Sequence, residues 1–306
     1  MADWRDEIAR RLRGEALRDE PLAARTSIRV GGPADLLVRP ADPEDLAALL
    51  RAVRELGVPL AVLGGGANTL VADAGVRGVV LRLPADLGEE RVEGETLVLS
   101  AGAPIARLMA RAHERGLVGA EFSAGIPGTL GGATAMNAGT RTGEMKDVLG
   151  RVELATADGA GFVPAAALGL GYRTSRLPPG AVVTRLECRL RPGDVAASRA
   201  AMEADVAARR RTQPLTQPNF GSTFRNPPGR HAGQLIEAAG LKGHRVGNAM
   251  WSDVHANFVV NTGGATARDV LALVKLARRR VRERFGVELV AEVRLLGEHL
   301  AEDLQG

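Results

Sequence analysis

The stretch from Glu121 to Gly139 constrains this chain most, because it is small, apolar and rich in glycine. It carries no charge after Glu121 and contains five glycines. A surface linker would need polar or charged residues to stay solvated, and a strand would alternate polar and apolar positions. The stretch therefore predicts a turn into a short helix, with Pro127 at the helix start and free N–H groups facing an anion such as phosphate. A tightly packed turn between two elements is an equally good interpretation of these residues alone.

The composition favours an ordinary globular protein, since 306 residues are enough for about two or three domains. No segment has the apolar length of a membrane span, and the charged N-terminus predicts no signal peptide. The single cysteine, Cys188, fits a reducing compartment, so we expect a cytoplasmic protein. The net charge is +4, but the chain has only three lysines and its arginines are interleaved with acids. We therefore expect neither nucleic acid nor a membrane as a partner.

Hydrophobic periodicity and turn residues predict a mixture of helices and strands. Asp42 as N-cap, Pro43 at the first helical position and Gly57 after the last turn delimit one helix. The other predicted helices cover residues 3–18, 104–115, 194–211, 233–239 and 266–285, the last with a capping box of Thr266 and Asp269. Predicted strands cover two short segments within 26–38 and residues 59–63, 78–83, 96–100, 148–157, 162–163, 181–190, 257–261 and 288–296. We expect residues 59–63 to be buried and the main domain junction to lie at 191–194.

A second glycine loop, Gly64 to Leu70, follows the predicted strand at 59–63. It lacks the G-x-G-x-x-G pattern, and another strand rather than a helix comes next, so a Rossmann domain is excluded. Three consecutive glycines followed by Asn68 and Thr69 can still surround a phosphate with backbone amides. The loop is therefore a second candidate for anion binding.

Three polar residues could carry chemistry, and each has a simpler alternative. Ser222 lies in a Gly-Ser-Thr-Phe turn and suits a proton donor, although capping the turn is the simpler role. Arg173 could bind a phosphate or carboxylate with both guanidinium branches, or lie on the surface. Glu292 could be a functional acid or part of a solvated strand face. His244 and His255 lack cysteine or histidine partners at zinc spacing, so we expect no metal.

Taken in order, these residues resemble the UDP-N-acetylenolpyruvoylglucosamine reductases. The resemblance covers nearly the whole chain after residue 25. Its motifs are Thr26–Ser27, Gly31–Asp35, Gly64–Leu70, Gly125–Gly128, Met136–Gly139, Tyr172–Ser175, Gly221–Pro227, His255–Phe258 and Ala291–Arg294.

The resemblance implies an α+β protein with an FAD-binding domain of the vanillyl-alcohol-oxidase (PCMH) type and a C-terminal substrate domain. The implied bounds are an N-terminal helix at 1–25, an FAD-binding domain at 26–192 with subdomains at about 26–84 and 85–192, and a substrate domain at 205–297. The implied FAD contacts are Gly64, Gly65, Gly66, Ala67, Asn68, Thr69, Leu70, Ser123, Gly125, Ile126, Pro127, Gly128, Thr129, Gly132 and Arg225. Because the first glycine loop holds no histidine or cysteine, we expect the FAD to be non-covalent.

The implied activity is reduction of UDP-N-acetylglucosamine enolpyruvate with NADPH as hydride donor. The implied catalytic residues are Arg173, Ser222 and Glu292, with Ser222 as proton donor and Glu292 either raised in pKa or paired with an arginine. Asn226, Lys242 and His255 are implied to bind this small nucleotide-sugar substrate, and the protein is expected to be a monomer. A flavin oxidase of the same fold and a non-catalytic nucleotide-sugar or flavin binder are the alternatives.

The sequence also departs from the family pattern at a few positions. Thr129 replaces the usual serine after Gly-Ile-Pro-Gly, and Val254 replaces a polar or basic residue before His-Ala-Asn. Residues 140–142 lack the tyrosine often found after Asn-Ala-Gly. The missing tyrosine implies the subtype without a tyrosine loop that closes over the nucleotide.

Overall fold

The structure, a computed structural model, describes residues 3–297. The α-helices within that range are α1 (Trp4–Arg10), α2 (Pro43–Leu56), α3 (Ala106–His113), α4 (Leu130–Ala135), α5 (Val195–Thr212), α6 (Ala232–Ala238) and α7 (Ala267–Phe285). Short 3₁₀ helices occur at Leu22–Arg25, Glu121–Ser123, Met145–Asp147 and Ala165–Leu168. None of the described helices is long and apolar enough to cross a membrane.

The strands of the described residues are mostly short. In chain order they are β1 (Glu15–Pro21), β2 (Pro33–Arg39), β3 (Leu60–Val62), β4 (Thr69–Val71), β5 (Val76–Leu81), β6 (Arg91–Glu93), β7 (Thr96–Ser100), β8 (Leu117–Val118), β9 (Gly139–Thr140), β10 (Gly143–Glu144), β11 (Leu149–Thr156), β12 (Gly159–Pro164), β13 (Val182–Arg189), β14 (Arg191–Pro192), β15 (Asn219–Ser222), β16 (Arg245–Val246), β17 (Ala249–Trp251), β18 (Phe258–Asn261) and β19 (Arg294–Leu296).

Packing divides the chain into two compact units. Unit 1 comprises the chain up to Arg18, Leu36–Gly65 and Gly78–Ala208, and unit 2 comprises Asp19–Asp35, Gly66–Arg77 and the chain from Arg209 to the last described residue. The predicted linear boundaries at 25, 192 and 205 remain a prediction. The compact units follow packing instead, and they assign two early segments to the unit that contains the C-terminal third.

Unit 1 is built around an antiparallel sheet of order β12-β11-β13-β7-β6. One apolar cluster packs α3 against this sheet and includes Leu97, Leu108 and Leu186, all fully buried. A second cluster forms under α2, with β3 parallel to β5. Cys188 on β13 is fully buried, and burial raises its pKa to about 12, which keeps the thiol protonated and inert.

Unit 2 contains an antiparallel sheet of order β15-β18-β17-β16 and a parallel pair of β4 and β19. Its core packs α6 and α7 against the sheet. The largest fully buried side chains here are Phe220, Phe224 and Trp251, and the rings of the last two stack with centroids 6.0 Å apart. The strand that carries Ser222 is therefore anchored by aromatic side chains on both sides of the serine.

Capping residues determine the ends of two predicted helices. The Asp42 side chain accepts the N–H of Asp45 and Gly57 adopts φ 62°, which confirms the predicted ends of α2. The Thr266–Asp269 capping box of α7 is also confirmed.

The predicted helix over residues 3–18 is wrong, since α1 ends at Arg10 and residues 15–21 form β1. The carboxylate of Asp45 accepts the N–H groups of Arg13 (2.8 Å) and Gly14 (2.9 Å). These backbone donors are thereby diverted from a helix into a turn, and the chain continues as a strand beside β2.

Four further predictions need correction. Residues 26–38 contain one strand, because the Thr26 hydroxyl bonds to both peptide groups of Val30 and folds the preceding segment into a loop. Pro127 does not start a helix, since α4 is capped by Thr129.

The segment 59–63 is only partly buried, with Val62 46% exposed. The last strand covers Arg294–Leu296 rather than 288–296, since Ala291 makes only an isolated bridge to Phe224.

Candidate active site

In unit 1 the two predicted glycine loops lie against each other. A Cβ at Gly65 would lie 2.6 Å from the Gly128 Cα, and a Cβ at Gly64 would lie 2.7 Å from the Thr129 Oγ1. Glycine is therefore needed for this close approach. Within residues 3–297, the backbone N–H groups of Gly64, Gly65, Gly128 and Thr129 donate no hydrogen bond. Unbonded amides gathered on two adjacent loops can bind an anion.

The Glu121–Gly139 stretch forms a 3₁₀ turn followed by α4, which resembles the predicted turn into a short helix. Ser123, 3% exposed, has a buried hydroxyl without a hydrogen-bond partner among the described residues. A buried polar atom of this kind calls for an explanation such as a bound ligand. Burial raises the pKa of Glu121, but hydrogen bonds from the Ser198 hydroxyl and the Gly119 N–H outweigh it and lower that pKa overall.

The loop that carries Arg173 docks on the end of this stretch, also in unit 1. Arg173 adopts φ 54°, and its Nη2 donates to the Gly139 carbonyl (2.7 Å). The Asn137 side chain donates to the Gly171 carbonyl (3.0 Å), and the Ser175 hydroxyl donates to the Ala135 carbonyl (2.8 Å). The guanidinium carbon also lies 5.3 Å from the ring centroid of Tyr172. Arg173 is thus held by specific contacts and is not a loose surface side chain.

The second half of the first glycine loop belongs to unit 2. Gly66 has φ 65°, and a Cβ there would lie 2.1 Å from the Arg25 carbonyl oxygen. Asn68 then bonds to two residues of the C-terminal segment. Its Nδ2 donates to the Glu292 carbonyl (3.1 Å), and its own carbonyl accepts the Arg294 N–H (3.0 Å). Asn68, predicted as an FAD contact, therefore also holds the backbone at Glu292.

Ser222 and Glu292 are brought onto neighbouring segments of unit 2. The carbonyl of Thr223 accepts the Glu292 N–H (2.8 Å), and the Arg225 N–H donates to the Val290 carbonyl (2.9 Å). Both Ser222 and Glu292 are partly exposed, so both can reach a ligand. These two hydrogen bonds hold together the segments that carry Ser222 and Glu292, which are 70 positions apart in sequence.

Two arginines of unit 2, Arg225 and Arg294, lie close enough to influence each other. Burial of the guanidinium, followed by the positive charge of Arg225, lowers the pKa of Arg294, although the residue as a whole is exposed. Two neighbouring guanidinium groups that repel each other favour an anion between or beside them. Arg225 was predicted as a cofactor contact, whereas no role was predicted for Arg294.

The predicted substrate-binding residues occupy three different settings in unit 2. Asn226 is exposed, and its Oδ1 accepts the first N–H of α6, from Ala232 (3.0 Å). Lys242 is exposed and pairs with Glu237 (3.0 Å). His255 is half-buried, and burial, then the charge of Lys242, lowers its pKa. Lys242 and His255 thus influence each other electrostatically, while Asn226 has a structural contact of its own.

Ser222 and Glu292 thus lie on neighbouring segments of unit 2, whereas Arg173 belongs to unit 1. Asn257 was recognised only as part of a motif. Its side chain bonds to both peptide groups of Phe224, two residues after Ser222. The polar residue within an otherwise apolar Ala-Asn-Phe-Val run was the available signal, because a buried asparagine needs partners.

Comparison with known proteins identifies the domains of the chain. Residues 34–161 match the model described as FAD binding domain, and residues 213–296 match the model described as UDP-N-acetylenolpyruvoylglucosamine reductase, C-terminal domain. The UDP-N-acetylenolpyruvoylglucosamine reductase of Anaeromyxobacter dehalogenans is 75% identical over 99% of this chain and 92% of its own length. That of Myxococcus xanthus is 57% identical over 94% of each chain.

A solved structure shows the same relationship in three dimensions. The crystal structure of the UDP-N-acetylenolpyruvylglucosamine reductase from Thermus caldophilus superposes with a TM-score of 0.80 and 40% identity, covering 93% of this chain and 99% of that one. These matches confirm the predicted α+β fold, with an FAD-binding domain followed by a C-terminal domain. The chain belongs to the UDP-N-acetylenolpyruvoylglucosamine reductase family.

Proposed function

We propose that this chain reduces the enolpyruvyl double bond of UDP-N-acetylglucosamine enolpyruvate to give UDP-N-acetylmuramate, a precursor of peptidoglycan, with NADPH as the hydride donor. Family membership over nearly the full chain supports the overall reaction. The observation that supports the assignment of residues is the hydrogen bond from the Glu292 N–H to the Thr223 carbonyl, which holds the backbone of Glu292 against the residue that follows Ser222. We further propose that the protein acts as a cytoplasmic monomer.

The residues of unit 1 fit a bound FAD. The close approach of Gly65 to Gly128 presents unbonded amides that suit the diphosphate, and the buried Ser123 hydroxyl has an unused hydrogen-bonding capacity. FAD, when bound, supplies the hydride carrier between NADPH and the substrate. The loop from Gly64 to Leu70 offers no cysteine or histidine for a covalent link, so non-covalent binding is proposed.

The residues of the chain then have separate tasks. Adding hydride to an enol ether conjugated with a carboxylate builds negative charge on that carboxylate. Arg173 would bind the carboxylate and stabilise this charge, and Glu292 would assist if protonated or paired with an arginine. Ser222 would donate its hydroxyl proton to the adjacent carbon. Asn226, Lys242 and His255 would bind the sugar nucleotide, with the Lys242 cation suited to the diphosphate.

The proposed role of Ser222 can be tested by following the two half-reactions separately. Ser222→Ala should leave the bleaching of the flavin by NADPH unchanged, because that step needs no proton from Ser222. Reoxidation by the enolpyruvyl substrate should slow by about 10²- to 10⁴-fold, the usual contribution of a general acid. Stopped-flow absorbance of the flavin measures both steps. Reoxidation at the wild-type rate would show that Ser222 is not the proton donor.

A further inference from the structure

Asn257 makes three hydrogen bonds to the two residues that follow Ser222. Its Oδ1 accepts the Phe224 N–H (3.0 Å), and its Nδ2 donates to the Phe224 carbonyl (2.8 Å). Its backbone carbonyl accepts the Thr223 N–H (2.8 Å). Asn257 is 3% exposed, so these bonds are shielded from water. The side chain thus pairs with Phe224 as a neighbouring strand would.

The same two residues determine where Glu292 lies. The Thr223 carbonyl accepts the Glu292 N–H (2.8 Å), and Phe224 bridges to Ala291. On the other side, the Asn68 side chain holds the Glu292 carbonyl (3.1 Å). Any shift of residues 223–224 therefore moves both Ser222 and the backbone of Glu292.

Asn257 is itself well anchored. It directly precedes β18, and its own N–H donates to the His255 Nδ1 (3.2 Å). The imidazole of His255 packs edge-on against Phe258, with ring centroids 4.9 Å apart. The motif His255–Phe258 thus forms a compact base for the asparagine side chain.

We infer that Asn257 is a positioning residue that fixes the proton donor Ser222 relative to Glu292 through the Thr223–Phe224 backbone. The inference rests on the proposed roles of Ser222 and Glu292. Proton transfer and charge stabilisation depend steeply on distance, so a displacement of about 1 Å costs up to about 10²-fold in rate. Hydride transfer from NADPH to the flavin involves neither residue and should not respond.

The test replaces Asn257 by aspartate, which has the same shape. The ionised carboxylate still accepts the Phe224 N–H but cannot donate to the Phe224 carbonyl and repels it instead. We expect reoxidation by the enolpyruvyl substrate to slow by about 10²-fold, with flavin reduction by NADPH within about twofold of wild type. The FAD content of the purified holoenzyme should be unchanged. Asn257→Ser, which introduces no charge and is too short to reach both groups, should show the same selective loss.

Asn261, the last residue of β18, provides a matched control. It is also buried, at 6% exposure, and binds backbone groups: its Nδ2 donates to the Ile28 carbonyl (3.0 Å), and its Oδ1 accepts the N–H groups of Gly263 and Ala265. These hydrogen bonds of the Asn261 side chain go to residues other than 222–224 and 290–293. Asn261→Asp should lower the melting temperature and affect the two half-reactions equally.

The outcomes separate this inference from the proposed function. If Ser222→Ala blocks reoxidation but both Asn257 variants slow the two half-reactions equally, or retain no FAD, Asn257 has a merely structural role and the inference is wrong. If Ser222→Ala reoxidises normally, the proposed role of Ser222 fails first. A selective loss in the Asn257 variants that is absent in Asn261→Asp supports positioning.

Discussion

In unit 1, Gly65 lies so close to Gly128 that a Cβ would be 2.6 Å from the neighbouring Cα, whereas in unit 2 Phe224 is held by the buried side chain of Asn257. The first region depends on the absence of side chains and offers backbone amides. The second depends on polar side chains that bond to backbone and leave Ser222 and Glu292 partly exposed.

The difference fits the role proposed for each region. A diphosphate is recognised by many N–H groups at once, and those become accessible only where no Cβ intervenes. A proton donor must point at one atom, and rigid support for its strand matters more than access to its backbone. Substitutions should therefore impair the two regions in different ways. In unit 1 an added side chain should overlap with the neighbouring backbone, and in unit 2 a lost hydrogen bond should misalign the proton donor.

The largest expected effect in this comparison is that of Gly65→Ala. The added Cβ meets backbone atoms of Gly128, so one of the loops has to move. Overpacking of this kind costs roughly 1–3 kcal/mol, which corresponds to about 5- to 150-fold weaker FAD binding. Titration of the FAD-stripped protein with FAD, followed by flavin fluorescence, measures the change.

Gly161→Ala is the matched control, because a Cβ at Gly161 has no atom within 4 Å and Gly161 also lies in unit 1. It should bind FAD as the wild type does. Equal affinities for Gly65→Ala and Gly161→Ala would contradict the assignment of the glycine pair to the cofactor.

The same contrast explains how far the sequence could be interpreted in advance. The ends of α2 follow from Asp42, Pro43 and Gly57, which act on their immediate neighbours and could be predicted. The end of α1 could not, because the Asp45 carboxylate that diverts the backbone lies more than 30 residues from Arg13. A capping residue acts on its neighbours in sequence, so it can be recognised there. A hydrogen-bond acceptor that is distant in sequence leaves no trace in the hydrophobic periodicity of the segment that it binds.

The candidate site divides in the same way. Ser222, Arg173 and Glu292 were predicted from a family pattern, and the glycine loops from their composition. The role of Asn257 required knowing that Phe224, 33 residues away, lies within 3.0 Å of its side chain. The assignment of residues 66–77 to unit 2 likewise depends on the pairing of β4 with β19, which joins segments more than 200 residues apart.

A smaller effect is expected when the pH is lowered. Protonation of His255 should then reduce both the stability of unit 2 and the rate of reoxidation by substrate. Burial, then the charge of Lys242, holds the pKa of His255 below its ordinary value of about 6.5. The neutral imidazole thus contributes stability that is complete above about pH 6.5 and is lost as the pH falls towards the folded-state pKa. Protonation also removes the Nδ1 acceptor of the Asn257 N–H. Reoxidation by substrate should therefore slow several-fold on mild acidification.

The contacts proposed for FAD in unit 1 are backbone amides, which do not titrate in this range, so FAD should be retained at the same pH. His113 in unit 1 also has a lowered pKa, first through burial and then through Arg199, so the informative quantity is the difference between wild type and His255→Gln. The variant should lose less of its unfolding free energy on acidification, measured by urea denaturation at several pH values. Parallel pH curves for the two proteins would show that His255 does not contribute.

The smallest expected effect concerns Thr129, a residue of the glycine loops in unit 1 whose side chain makes a structural contact. The Thr129 hydroxyl caps α4 by accepting the Gly132 N–H (3.3 Å), and Gly64 leaves room for it. Thr129→Val keeps the shape but removes the cap, which should lower the unfolding free energy of the holoenzyme by about 1 kcal/mol. Thr129→Ser keeps the hydroxyl and should match the wild type in a urea titration. If both variants unfold at the wild-type midpoint, the hydroxyl is dispensable and the loop is held by its glycines alone.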